Sequence, residues 1–231
     1  MALLGVWSIH AASQYQLREQ ERSMLDLARA LSSAADAELD ASVAMLNSTA
    51  RAPSLRAGDI EGFYDVARGL AEAQPEWLGL ILTDNAGNVL FNTIAGRDAA
   101  PPKVVDPDSL RRVLATRQPV VGRILRGAKG RAAFPVRIPV IDDDGELYTL
   151  TAVIRPDRIV QMIQRQSMPE GSVISIIDAD GKLVARSRNQ DGTVGGPPSA
   201  SLMQLIGSAK AENVGSAATL EGETVVSAYT T

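Results

Sequence analysis

The sequence predicts an α+β protein: one long N-terminal helix followed by two modules built on antiparallel sheets. Two observations carry this. Residues 14–50 contain neither proline nor glycine. An apolar hairpin with an Asp-x-x-Gly turn, LGLILTDNAGNVLF at Leu78–Phe91, then recurs as VISIIDADGKLVA at Val173–Ala185, so that Asp84 and Gly87 repeat at equal spacing as Asp178 and Gly181. Aspartate bonds its own backbone two residues on, and glycine supplies the positive φ that closes a hairpin. A repeat this long marks a duplicated module rather than a solenoid unit.

The chain has 231 residues, 45% hydrophobic and 22% charged, which is enough for two small domains with real cores. Aromatic residues make up only 4%, so Leu, Ile, Val and Ala must build those cores. The net charge of -4 argues against nucleic acid as a partner. The chain has no cysteine, which excludes zinc ribbons, thiol catalysis and disulfides. With a single histidine, His10, neither a catalytic triad nor a transition-metal site is expected, and no glycine-rich phosphate loop follows a strand. We therefore expect no cofactor, no metal and no catalytic residue.

The elements follow in order. MALLGVWSIHAA is apolar but shorter than the roughly 20 residues a membrane span needs. It reads either as a hydrophobic helix start packed in a core or as the outer end of a transmembrane helix, the reading that Trp7, suited to a membrane interface, favours. Leu17, Met24 and Leu31 step by sevens, and Leu39, Val43 and Leu46 continue one apolar stripe. A helix of about 55 Å is longer than a small domain requires. It is expected to serve as scaffold, rod or homodimer contact over residues 1–52.

Pro53 ends that helix, and Asp59 caps a second over Ile60–Ala73. The first hairpin follows, then a Gly/Pro/Asp-rich loop, Ala95–Asp106, of the length that lids and binding loops have. Asp106-Pro107 starts a helix running to about Thr116. A meander of three strands, Val120–Arg126, Arg131–Ile141 and Leu147–Ile154, completes a five-stranded antiparallel sheet in a module spanning 53–155. A linking helix from Pro156 opens the second module, 156–231, followed by the second hairpin, a polar loop over Asn189–Pro198 and a helix from Ser201 to about Lys210. Strands over Gly215–Leu220 and Thr224–Thr231 match the first two of the earlier meander. The third has no match, so the second sheet is expected to be truncated at its C-terminal side.

From Ser109 to Ile141 every charged residue is basic. Arg123, Arg131 and Arg137 lie on or beside predicted strands, and an arginine fork fits a carboxylate. These three are candidate clamps for an anionic ligand, with Tyr64 and Trp77 as a candidate wall. Strand alternation puts Ala133, Pro135 and Arg137 on one face and Phe134, Val136 and Ile138 on the other.

The long helix, the paired TDNAGNVLF and IDADGKLVA hairpins, FPVRIPVIDDDGELYTLTAVI and the linking helix together resemble the double Cache, or tandem PDC, sensor domains. That resemblance implies PAS-like modules and an extracytoplasmic, periplasmic sensing region between two helices of the bacterial inner membrane. It implies a small-molecule ligand in the membrane-distal first module and signalling output, most like that of a sensor histidine kinase. Chemoreceptors, diguanylate cyclases and non-signalling solute binders are the alternatives.

Overall fold

The computed structural model describes residues 3–97, 104, 106–127, 130–166, 171–208 and 210–231, with side chains from residue 18 onward. Contacts divide the chain into two compact units, Ala37–Pro197 and Met1–Asp36 with Pro198–Thr231. These cuts fall elsewhere than at residues 52 and 155: the linking helix and second hairpin share a unit with the first sheet.

Good helix formers, with neither proline nor glycine over residues 14–50, build most of α1, Leu3–Thr49. Pro53 excludes the helical conformation from the residue before it, and Ala52 is extended at φ -54 and ψ 134. The chain re-enters helix at once as α2, Pro53–Arg56, with proline at a first-turn position where no amide hydrogen is needed. In α3, Ile60–Ala73, the Asp59 side chain accepts the Gly62 amide at 2.9 Å, as the sequence leads one to expect. Leu46, Leu55, Phe63 and Ala67 from these three helices are fully buried against one face of the first sheet.

That sheet runs β2-β1-β6-β5-β3. Its strands are β1 Trp77–Thr83, β2 Val89–Asn92, β3 Val120–Val121, β4 Leu125–Arg126, β5 Ala132–Ile141 and β6 Leu147–Ile154. All pairings are antiparallel, with β4 joining β5 beyond β3. Five strands were expected and six form, because Val120–Arg126 breaks in two at Gly122–Ile124. The amides of Arg123 and Ile124 leave the ladder and bind carboxylates instead, Asp106 at 3.1 Å and Asp178 at 3.0 Å.

Three hairpin turns share one chemistry. Asp84, Asp142 and Asp178 each accept two amides on a single carboxylate oxygen, two and four residues on. Gly87, Gly145 and Gly181 take up φ of +84, +86 and +75. This is why all three turns could be read in the sequence.

The helix α4, Pro107–Thr116, lies on the other face of the first sheet from α3, and α5, Asp157–Gln164, follows β6. The second hairpin is β7 Ser175–Ile177 with β8 Leu183–Arg186. A short α6, Gln190–Thr193, occupies what reads as loop in the sequence. In the other unit, α7 Ala200–Ile206 covers β9 Glu212–Ala218, which pairs with β10 Thr224–Thr230. The Leu205 side chain sits where a Cβ on Gly215 would fall, 2.6 Å away. Arg29 on α1 grips Glu212 with two hydrogen bonds, at 2.9 and 2.6 Å.

A single truncated second sheet was expected. Among the described residues these four strands instead form two separate two-stranded sheets. Among the described residues, no helix is long and apolar enough to cross a membrane. The side chains of the apolar leader, Trp7 and His10 included, lie outside the described set.

Candidate functional site

Strand alternation gives the first sheet two unlike faces. Leu80, Leu82, Val136, Ile138, Leu150 and Ala152 point to α1 and α3 and form the core. The residues between them form three cross-strand rows on the α4 side. Gly79, Val153 and Pro135 make one; Ile81, Thr151, Arg137 and Val120 the next; Thr83, Thr149 and Pro139 the third.

The segment after β2 touches this face at both its described ends. A Cβ on Gly79 would stand 2.6 Å from Thr93 Oγ1 and from Ile94 Cγ1. Only a glycine there lets the chain fold back over β1, where Thr93 Oγ1 accepts the Leu80 amide at 2.9 Å. At the far end, a Cβ on Gly122 would lie 2.3 Å from Asp106 Oδ2 and 2.5 Å from Pro135 Cγ. Most of the loop between, residues 98–103 and 105, falls outside the described set.

Asp106 is the keystone of that far end. It sits in the left-handed region at φ 57, which aspartate tolerates better than most residues, and is 5% exposed. One carboxylate oxygen caps α4 through the Ser109 amide at 3.4 Å; the other accepts the Arg123 amide. Its carbonyl accepts the Ser109 hydroxyl at 3.1 Å.

Arg137 reaches this cluster from β5 and is only 2% exposed. Its Nε donates to Ser109 Oγ and one Nη to Thr151 Oγ1, both at 2.8 Å; the other Nη reaches the Asp106 carbonyl at 3.4 Å. Burial pushes its pKa down to about 10, against the opposing pull of the Asp106 charge. Arg137 therefore stays a cation at neutral pH, in a place where bare charge is costly.

One row away, Thr83 and Thr149 stand opposite each other on β1 and β6. Both are fully buried, and neither hydroxyl has a hydrogen-bond partner among the described residues. An unsatisfied buried hydroxyl costs about 1–3 kcal/mol. Two on one face, beside a buried guanidinium, make a surface chemically suited to a small polar guest. It offers two hydroxyls that donate or accept beside a cation partly offset by the Asp106 charge, bounded by Thr93–Ile94 and by the start of α4.

The five residues singled out from sequence divide. Arg137 and Arg123 come together around Asp106. Arg123 is 39% exposed in its side chain and pairs with Asp106 at 3.5 Å, Asp108 at 2.9 Å and Asp180 at 3.0 Å. Arg131 is exposed just before β5, away from the others. Tyr64 packs edge-on against Phe91, ring centroids 5.5 Å apart, with the Arg97 guanidinium 4.6 Å over its ring. Trp77 belongs to the core on the α1 side.

The reason for Trp77 is a bulge. Gly79 pairs with Val153, but Trp77 pairs with Ile154, so the register slips between them and the indole turns to the opposite face. There it lines a cavity of about 70 Å³ with Leu39, Phe134 and Ile159. A wider cleft of about 390 Å³ opens nearby over Arg155, Arg158 and Arg165. Two of these cations are already neutralised: Arg158 holds Glu38 at 2.6 Å and Glu76 at 2.8 Å, and Arg155 lies 3.1 Å from Asp157. The α4 face, with its unmatched hydroxyls, is the stronger site.

Asp106, Ser109, Thr83, Thr149 and Thr151 were not among the residues picked from sequence. Their signal was present in part. In LTAV, residues 150–153, and in the flanking Thr149, threonine alternates with apolar residues, which puts the hydroxyls on one face.

No protein-family model matches the sequence, and no curated protein matches it. Solved structures do. The extracellular domain of a protein named as a histidine kinase, rpHK1S-Z16, superposes with a TM-score of 0.70 at 17% identity, covering 91% of this chain and 88% of that one. The ligand-binding domain of the Pseudomonas aeruginosa PAO1 amino-acid chemoreceptor PctB, in complex with L-Arg, gives 0.67 at 12% identity over 90% and 87%. That of the Pseudomonas fluorescens chemoreceptor CtaA, in complex with L-isoleucine, gives 0.66 at 10% identity over 93% and 87%. The chain thus has the fold of these sensor domains, a long helix followed by antiparallel sheets, as its double Cache resemblance implies.

Proposed function

We propose that this chain is the extracytoplasmic ligand-sensing region of a bacterial transmembrane signalling receptor, a sensor histidine kinase, and is not itself an enzyme. The first module, 53–155, binds a small molecule carrying a carboxylate on the α4 face of its sheet. The observation that carries the reading is the pair of buried, unpartnered hydroxyls of Thr83 and Thr149, one row from the buried Arg137 cation. Structural neighbours that bind amino acids on the same fold support it. A chemoreceptor output is the second reading, favoured by those same neighbours.

Within this proposal Arg137 sets the positive field and holds α4 on the sheet, while Arg123 closes the edge. Ligand chemistry falls to Thr83 and Thr149. Arg131, Tyr64 and Trp77 serve elsewhere. The long helix α1 is the element that carries the response toward the membrane and supplies any homodimer contact.

A thermal-shift panel tests this. L-isoleucine, L-arginine, GABA and succinate are compared with their amides, which lack the carboxylate charge. A ligand at a hundred times its dissociation constant stabilises the fold by about 2.7 kcal/mol. Stabilisation by one or more carboxylates, absent with the matching amide, is the expected result. Equal shifts with acid and amide would remove the anion from the account.

A further inference from the structure

The edge of the first sheet is broken by two aspartates that belong to different parts of the chain. Asp106, at the head of α4, takes the Arg123 amide; Asp178, in the turn of the second hairpin, takes the Ile124 amide. Regular pairing with β5 stops at Val121 and resumes at Leu125, with one bond between, Gly122 N to Pro135 O at 2.8 Å.

Asp178 does two jobs at once. One oxygen closes its own turn on the amides of Asp180 and Lys182, and the other reaches across to Ile124. Asp84, in the equivalent turn of the first hairpin, spends its second oxygen locally, on the Asn88 side chain at 2.8 Å. The sequence repeat therefore hides a difference: only the second turn is docked on the first sheet by its aspartate.

The side chains at the break repeat this double attachment. Arg123 joins Asp106 and Asp108 of the α4 head to Asp180 of the second turn. Arg126, at the end of β4, donates to the carbonyls of Asp191 and Val194 around α6, at 3.2 and 3.0 Å. Meanwhile the Ile124 side chain is buried in the core at 3% exposure. Between Val121 and Leu125 this short edge segment has a single ladder bond and is held from both sides, so a shift on one side has a direct path to the other.

We propose that Gly122–Arg126 is a coupling joint: a shift of the first turn of α4 is passed to the second hairpin through Arg123 and the Ile124 amide. Its meaning for signalling rests on the ligand site proposed above; the mechanical coupling does not. Coupling between two sites is reciprocal, so a disturbance on either side must register on the other.

Amide hydrogen exchange on the whole chain reads this, with β6 residues 147–154 as internal reference. Ser109→Ala removes the hydroxyl joining Arg137 to the Asp106 carbonyl and touches nothing in the second hairpin. It should speed exchange at residues 178–186 by about fivefold or more, the lower end of ordinary allosteric couplings. Asp180→Ala, an exposed change, should do the same at 107–113. In an Arg123→Ala background, where only the backbone path through the Ile124 amide remains, adding Ser109→Ala should move the hairpin clearly less than it does in the wild type. A hairpin unmoved by Ser109→Ala, or moved equally without Arg123, overturns the joint. The variants need no ligand, so a failed ligand panel counts against the site and not against the joint.

Discussion

At the scale of single residues, the site is shaped as much by missing side chains as by present ones. Gly79 and Gly122 let two segments lie directly on the sheet. Adding one methyl at Gly122 would force it onto Asp106 Oδ2, Pro135 Cγ and Ser109 Oγ at 2.3 to 2.9 Å, all atoms held by bonding or by the proline ring. Overpacking of this kind costs about 1–3 kcal/mol. Gly122→Ala should lower the urea midpoint accordingly, and an unchanged midpoint would show that the α4 head has room to move. Such close approach was not legible in the sequence, where Gly122 reads as an ordinary strand residue. Arg137 was legible as a candidate because it lies on a predicted strand within a stretch whose charged residues are all basic. Its partners were not, since Ser109 and Thr151 lie on two other elements and meet it only through the sheet register.

The elements show where local chemistry was decisive and where tertiary contact overruled it. Asp59, Asp106 and the Asp-x-x-Gly turns set element boundaries through bonds to amides two to four residues away, so sequence alone placed them. The first of those turns also carries a charge signature. Burial pushes the Asp84 carboxyl up, but hydrogen bonds from the Asn88 side chain and from the amides of Asn88, Ala86 and Gly87 outweigh it and hold the pKa below its usual value. The folded chain then sheds this proton more readily than the unfolded one, so the stabilisation is full above the ordinary carboxylate range. It is lost as pH falls through the lowered value. Asp84→Asn keeps an acceptor oxygen but not the charge. Its stability deficit should be greatest at neutral pH and close on acidification, as followed by denaturant midpoints at several pH values; a deficit independent of pH would assign the turn's stability to geometry alone. By contrast, the break of Val120–Arg126 and the bulge at Trp77 depend on partners far along the chain. Asp178 reaches back from the second hairpin to take the Ile124 amide, as Asp106 takes that of Arg123, and no local pattern announces either bond.

Over the whole molecule, a duplicated sequence has produced unequal copies. The first hairpin joins a six-stranded sheet; the second stands as a two-stranded sheet, and its turn grips the edge of the first. The repeat and the long helix were enough to predict the fold class, and the structural neighbours agree with it over nine-tenths of the chain. Of the five candidate residues read from the sequence, Arg123 and Arg137 meet around Asp106, while Arg131, Tyr64 and Trp77 lie elsewhere. Threonine was passed over because its hydroxyl is unremarkable until burial removes every other partner.

The central question is which face of the first sheet binds a ligand. Isothermal titration of the best-stabilising carboxylate into the wild type, Thr149→Val and Trp77→Phe decides it. Losing one ligand hydrogen bond is worth about 1–1.5 kcal/mol, or roughly tenfold in affinity. Thr149→Val should weaken binding by about that factor, and Trp77→Phe should leave the affinity unchanged while lowering the stability of the chain. The opposite pattern, with affinity lost at Trp77 and kept at Thr149, would move the site to the α1 side and contradict the assignment.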